Sequence, residues 1–264
     1  MNQSVRRPIG ALDFTVLPFG EAVRELLDAS ETIAEKGNPG LAVHFANAYN
    51  VALARKDSDY AHVMQSGDFV FSDGVPITWV GKRAYPDNSA DWDRVYGPDV
   101  MAAVFASSQS PDSHQPRHYL LGSTPHILEA LQRNLSTRFP DAVIVGSESP
   151  PFREPTNAEL TERNTRITEA DATMVWVGLG TPKQDYEVAR LARSLPVVSL
   201  AVGAAFDFLA GTTPQAPVWM QRNGLEWAYR LASEPKRLGK RYLWGNSMFL
   251  LEAGRTISRS KIRS

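Results

Sequence analysis

Short apolar runs alternate with longer stretches of helical spacing through most of the chain. The runs at 41–46, 69–71, 119–121, 142–145, 174–177 and 197–202 are bounded by Gly, Ser or Asn and read as buried strands. Between them, apolar residues recur three and four apart over 20–36, 48–55, 58–65, 75–83, 99–107, 157–170, 185–193, 214–222 and 225–232, and another helix opens at Pro125. Strands that run into Gly and then a helix predict an α/β fold: a Rossmann-like, doubly wound, mostly parallel sheet. Residues 1–19 read as a poorly ordered arm with one short strand near 12–16. Residues 84–93 and 107–115 read as polar connections, and the strand at 142–145 is expected to stop at Gly146.

One junction carries candidate chemistry. The run ending at Phe71 meets Ser72-Asp73-Gly74, and the next helix has Pro76 near its start. Asp73 is therefore expected at the carboxyl end of a strand, the edge where open α/β sheets bind ligands. A carboxylate there either accepts a proton from an attacking hydroxyl or caps the helix that follows.

Composition narrows the classes. The 264 residues suit one large α/β domain or two smaller ones, and 43% are apolar, enough for a substantial core. The net charge of −1 gives no field that would draw in nucleic acid. With no cysteine there are no disulfides, thiolate metal sites or cysteine nucleophiles. Residues 1–10 lack the apolar core of a signal peptide, and no apolar run reaches the roughly 18 residues of a membrane span. Charge is distributed unevenly. Residues 230–264 hold nine cations against two anions, a surplus of +7, so residues 1–229 carry −8. A basic tail on an acidic body points to an anionic partner, such as a diphosphate or an anionic lipid surface.

Other motifs are weaker. Gly178-Leu179-Gly180-Thr181-Pro182-Lys183 lacks the third glycine of a dinucleotide fingerprint, yet its backbone amides and Lys183 suit a phosphate. Asp57-Ser58-Asp59 and Asp91-Trp92-Asp93 are Asp-x-Asp triplets of the kind that hold Mg²⁺ or Mn²⁺, and helix capping is the competing role for the first. The five histidines show no ligand spacing, and His44 reads as a core residue.

Several blocks recur together: Asn47-Ala48, Ser72-Asp73-Gly74, Arg94-Val95-Tyr96-Gly97-Pro98-Asp99, Leu121-Gly122-Ser123, the stretch 177–184 ending in Lys183-Gln184, the stretch 203–211 with Phe206 and Asp207, and the stretch 224–231, followed by Glu234-Pro235-Lys236-Arg237 and Arg241-Tyr242. In order and spacing they resemble the WecG/TagA/CpsF family, glycosyltransferase family 26, over about residues 40–250. The resemblance implies metal-independent transfer, with inversion, of an N-acetylhexosamine-type sugar from a UDP-sugar to a hydroxyl acceptor, often polyprenyl-diphosphate-linked. It implies Asp73 as general base. It implies substrate contacts from Asn47, Arg94, Gly122, Ser123, Gly178, Gly180, Lys183, Gln184, Phe206 and Asp207. It implies a C-terminal appendage, here 230–264 after a catalytic domain of 1–229, whose Arg230, Arg237, Lys240 and Arg241 stabilise the departing diphosphate. No cofactor is expected, the UDP-sugar being a substrate.

Two positions depart from the family pattern. Phe45 stands where a threonine is common, and Lys240 where an arginine is frequent, which loses the bidentate fork. A soluble small-molecule acceptor and a non-catalytic nucleotide-sugar or anionic-lipid binding module are the alternatives. The expected setting is the cytoplasm, with the tail against the inner membrane face through Leu243, Trp244, Met248, Phe249, Leu250 and Leu251, and homo-oligomers are left open.

Overall fold

The computed structural model describes residues 4–36, 38–109 and 115–263, with the side chains of all but Lys36, Arg237, Arg241 and 261–263. A six-stranded parallel sheet organises the chain, in the order β4-β3-β8-β7-β5-β6. Its strands are β3 (Leu41–Ala46), β4 (Phe69–Ser72), β5 (Arg117–Gly122), β6 (Val143–Glu148), β7 (Met174–Gly178) and β8 (Val198–Ala201). The central strands are buried along their length, as expected of strands covered by helices on both faces.

The chain divides into two compact units. The first comprises 22–44 and 97–214, the second 4–21, 45–96 and 215–263 of the described residues, so β3 passes from one to the other at residue 44. In the first unit β5, β6, β7 and β8 alternate with α6 (Pro125–Arg138), α7 (Asn157–Glu169) and α8 (Lys183–Ser194). Val175 and Val177 of β7 pack with Ile167 of α7 and with Val188 and Leu191 of α8. Helix α7 starts at a capping box, where the Thr156 hydroxyl accepts from the Glu159 N–H and Glu159 accepts from the Thr156 N–H. β6 runs through Gly146 rather than stopping there. A Cβ at Gly146 would lie 2.5 Å from the Tyr119 ring, so the glycine marks a close approach of that ring to the strand.

The second unit holds β4, α2 (Ala48–Lys56), α3 (Ser58–Gln65), α4 (Val75–Ala84), α10 (Val218–Arg222), α11 (Glu226–Ser233) and α12 (Pro235–Arg263). The expected loose arm is instead an antiparallel hairpin of β1 (Arg6–Ile9) and β2 (Leu12–Thr15). Ile9, Leu12 and Phe14 anchor it in the unit's core, and the Thr15 hydroxyl accepts from the Val70 N–H at 3.1 Å. The connection 84–93 is also not wholly polar. It contains a 3-10 turn at Pro86–Asn88, and Trp92 is 1% exposed against Phe14 and Tyr85.

Helix α12 is one 29-residue element. Its apolar side splits in two. Phe249 and Ala253 enter the core, Trp244 meets Tyr49 edge-on and the Lys56 ammonium, and Leu243, Leu250 and Leu251 stay exposed. The sequence groups these residues on one face, but Phe249 lies about 100° around the helix from Leu250 and about 120° from Leu243, so its burial leaves both leucines outside the core. No helix among the described residues is long and apolar enough to cross a membrane.

A Cβ on Gly81 would meet three Trp92 ring carbons at 2.2–2.4 Å. Gly81→Ala is therefore expected to cost about 1–3 kcal/mol, the usual penalty for overfilling a packed site. Thermal unfolding at wild-type temperature would contradict this packing.

Candidate active site

The carboxyl end of β4 is held by neighbours on both sides within the second unit. The Asp73 N–H donates to the Ala46 carbonyl at 3.0 Å, the Val95 N–H donates to the Ser72 carbonyl at 2.9 Å, and the Ser72 hydroxyl donates to the Asp93 carbonyl. Asp73 is half-buried there. The N-cap of α4 is Gly74, which has no side chain to cap with, so Asp73 stands one residue before the capping position.

Asn47 is the N-cap of α2. Its Oδ1 accepts from the Tyr49 N–H at 3.0 Å and caps α2, which leaves its Nδ2 3.5 Å from Asp73 Oδ2. Arg94 lies across the same strand end. Its Nε donates to the Asp73 carbonyl at 3.2 Å, Nη2 donates to Glu226 Oε2 at 2.7 Å, and Nη1 donates to Gln221 Oε1 at 3.4 Å. The guanidinium lies 3.8 Å from the centre of the Tyr96 ring. It is thus a mostly buried tie rather than a surface salt bridge.

The Tyr96 hydroxyl donates to the other Glu226 oxygen. Burial, then the charges of Glu226 and Asp73, push the Tyr96 phenol well above its ordinary value of 10. It therefore remains a hydrogen-bond donor at any ordinary assay pH. Asp73, Arg94, Tyr96 and Glu226 form one cluster, in which Arg94 pairs with the Glu226 carboxylate and donates to the Asp73 backbone carbonyl. Sequence reasoning did not single out Tyr96 or Glu226 as site residues. Their only signal was membership in the blocks at 94–99 and 224–231, since nothing in spacing joins positions 132 apart.

The first unit gathers a second set of expected residues at the ends of β5 and β7. Gly122 has φ +127°, and a Cβ there would lie 2.7 Å from the Gly178 backbone, so only glycine allows the two strand ends this close. The Ser123 N–H donates to the Gly178 carbonyl at 3.2 Å, and the Ser149 hydroxyl donates to the Ser123 carbonyl at 2.8 Å. Gln184 is buried and braces the turn: its Oε1 accepts from the Gly180 N–H and its Nε2 donates to the Ala201 carbonyl, both at 3.0 Å. Phe206 is fully buried, with its ring against Gly178. Asp207 is half-buried in α9 (Ala205–Leu209), a helix too short for its periodicity to be read. Lys183 opens α8 half-exposed, 3.6 Å from Glu154 and 5.4 Å from the centre of the Phe152 ring.

Of the expected cations, Arg230 is half-buried in α11 and Lys240 is exposed on α12. The side chains of Arg237 and Arg241 lie outside the described residues. In each Asp-x-Asp triplet one carboxylate is already bonded to backbone. Asp57 caps α3 through the Asp59 and Tyr60 N–H groups, and Asp93 accepts from the N–H groups of Phe19 and Arg94. Among the described residues no three His, Asp or Glu side chains are placed to hold a metal. His44 is a core residue, with Nδ1 3.1 Å from Asp185 and Nε2 buried without a partner.

The chain is similar over most of its length to curated proteins. It is 27% identical over 199 residues to the N-acetylglucosaminyldiphosphoundecaprenol N-acetyl-beta-D-mannosaminyltransferase of Bacillus subtilis, covering 75% of this chain and 73% of that protein. It is 26% identical over 232 residues to the protein of the same name from Bacillus spizizenii, covering 88% and 84%. The profile of the glycosyl transferase WecG/TagA/CpsF family matches residues 8–263. The chain belongs to the WecG/TagA/CpsF family of glycosyl transferases.

Proposed function

We propose that this glycosyltransferase moves an N-acetylhexosamine-type sugar from a UDP-sugar to a hydroxyl of a lipid-diphosphate-linked acceptor, with inversion and without a metal, at the cytoplasmic face of a membrane. N-acetylmannosamine is the sugar named for the relatives, and their acceptor is a diphosphoundecaprenol-linked N-acetylglucosamine. The observation that carries the reading is the half-exposed Asp73 carboxylate at the carboxyl end of β4, beside the Asn47 amide.

The Asp73 carboxylate takes the proton of the acceptor hydroxyl as that oxygen bonds to the anomeric carbon. The bond from that carbon to the UDP oxygen breaks on the opposite face, and UDP leaves with the electron pair. Asn47 Nδ2 holds the carboxylate in place, and the Arg94–Glu226–Tyr96 network fixes the backbone around it. In the same unit as Asp73, Arg230, Arg237, Lys240 and Arg241 supply positive charge for the expelled UDP. That both Asp-x-Asp triplets have a carboxylate committed to backbone N–H groups supports a reaction that uses no metal.

The test is an assay with UDP-N-acetylmannosamine, UDP-N-acetylglucosamine and UDP-glucose against a diphosphate-linked N-acetylglucosamine acceptor, with and without EDTA. Product of inverted anomeric configuration, formed at the same rate in EDTA, is expected. A retained configuration, or a rate lost on chelation and restored by a divalent cation, would refute the mechanism.

A further inference from the structure

Within the second unit, Arg94 stands beside the group that the mechanism needs as a base. Its Nε donates to the Asp73 carbonyl at 3.2 Å. The carbonyl and the side-chain carboxylate of one residue branch from the same Cα, so a guanidinium at the first reaches the second by a change of rotamer. Arginine pairs strongly with aspartate, often through two parallel bonds. A cation so placed favours the ionised carboxylate, makes it a weaker base and occupies the oxygens that must take a proton.

In the structure the guanidinium is drawn elsewhere. Its remaining bonds run from Nη2 to Glu226 Oε2 at 2.7 Å and from Nη1 to Gln221 Oε1 at 3.4 Å. The side chains of Arg94 and Glu226 are 18% and 19% exposed, so water and salt screen the pair little. Glu226 is itself fixed. The Tyr96 hydroxyl donates to its other oxygen, and the same tyrosine lays its ring 3.8 Å from the guanidinium. The turn that leads into α11 rests on the start of α4: a Cβ on Gly224 would lie 3.4 Å from Val75 Cβ and 3.6 Å from Pro76 Cδ, which seats Glu226 two residues further on. Asp93, the acid next to Arg94 in the chain, already accepts from the N–H groups of Phe19 and Arg94.

We propose that Glu226 is a positioning residue for the transfer: it holds the Arg94 guanidinium off the Asp73 carboxylate, so that this carboxylate stays able to take the acceptor's proton. The inference rests on the reading of Asp73 as general base and adds what keeps that base usable. It gives the block at 224–231 a chemical reason, since α11 brings the one charged partner that Arg94 has among the described residues.

The experiment compares the wild type with Glu226→Gln and Glu226→Asp. Single-turnover rates are measured with saturating UDP-N-acetylmannosamine and a diphosphate-linked N-acetylglucosamine acceptor, and each variant is crystallised. Glutamine keeps the shape of the side chain and an oxygen for Arg94 but has no charge. Aspartate keeps the charge on an arm one methylene shorter. Turnover of Glu226→Gln is expected to fall about 10–100-fold, with the Arg94 guanidinium found on the Asp73 carboxylate. Glu226→Asp is expected to turn over close to the wild-type rate, with Arg94 still on residue 226.

Wild-type turnover in Glu226→Gln overturns the inference. So does a slow Glu226→Gln whose guanidinium stays on residues 221 and 226, because the loss is then not due to a captured base. Where the glutamine variant does not fold, Glu226→Asp decides: a slow, folded Glu226→Asp with Arg94 in its wild-type place overturns the inference, and a wild-type rate supports it. An Asp73→Asn variant with wild-type turnover removes the base reading and this inference with it. An inactive Asp73→Asn beside an unaffected Glu226→Gln removes this inference alone.

Discussion

Asp73→Asn is expected to bind UDP-sugar as the wild type does and to lose turnover by about 10²–10⁴-fold, the usual contribution of a positioned general base. The substitution keeps the size of the side chain and its place beside Asn47 Nδ2, 3.5 Å away in the wild type. It removes the capacity to take a proton. The backbone contacts of residue 73, its N–H to Ala46 and its carbonyl to Arg94 Nε, do not depend on the side chain and remain. Donor affinity by calorimetry and single-turnover rates separate the two effects. Near wild-type turnover with intact binding would show that another group accepts the proton.

A second large effect is expected in the first unit. Arg163 of α7 is 3% exposed and donates to Glu148 of β6 and Glu187 of α8, each at 2.9 Å. Burial opposes its charge, but Glu187 and Glu148 outweigh that and hold its pKa above the ordinary arginine value. Arg166 and Arg190 complete the network at 2.8 Å from the same two glutamates. Arg163→Met strands two mostly buried carboxylates with one cation each, and breaking a buried pair in this way typically costs about 3–5 kcal/mol. For a chain of this size that is a fall in Tm on the order of 10 °C, read by calorimetry. Removing Glu148 and Glu187 together with Arg163, in favour of apolar side chains, is expected to cost less than removing Arg163 alone, because the charges then left without partners, Arg166 and Arg190, are more exposed than the two carboxylates. An Arg163→Met protein that melts with the wild type would show that the network contributes little to stability.

Much of the fold was legible because local signals agreed. The run Leu41–Ala46 is apolar, short and bounded by Pro39-Gly40 and Asn47, and it forms a strand over those residues. Asp57 ends one helix and caps the next, so α3 begins where its side-chain oxygen predicts. The hairpin was illegible because Arg6-Arg7-Pro8 reads as a polar tail. Only burial of Ile9 beneath α12 and α4 gives that strand a reason to form. Trp92 was hidden in a polar connection for a similar reason, since its partner Phe14 comes from β2 and the Gly81 it packs over comes from α4. At the site, Asp73 and Asn47 were readable because each lies at a strand end beside a helix start. The contact of Arg94 with Glu226 was not, because it exists only once α11 has folded back along the β4 edge.

Helix α12 adds a temporal constraint. Phe249 and Ala253 belong to the same core as Ile9, Val51 and Val70, and Glu252 accepts from Arg55 while the Thr256 hydroxyl accepts from the Gly10 N–H. On the ribosome, the first unit has its last strand as soon as residue 201 emerges. The second must keep an apolar floor uncovered until some fifty residues later. At translation rates of about 5–20 residues per second, that interval lasts several seconds. Asp73 is thus synthesised within the first third of the sequence, yet the core of its unit closes only when α12 is in place.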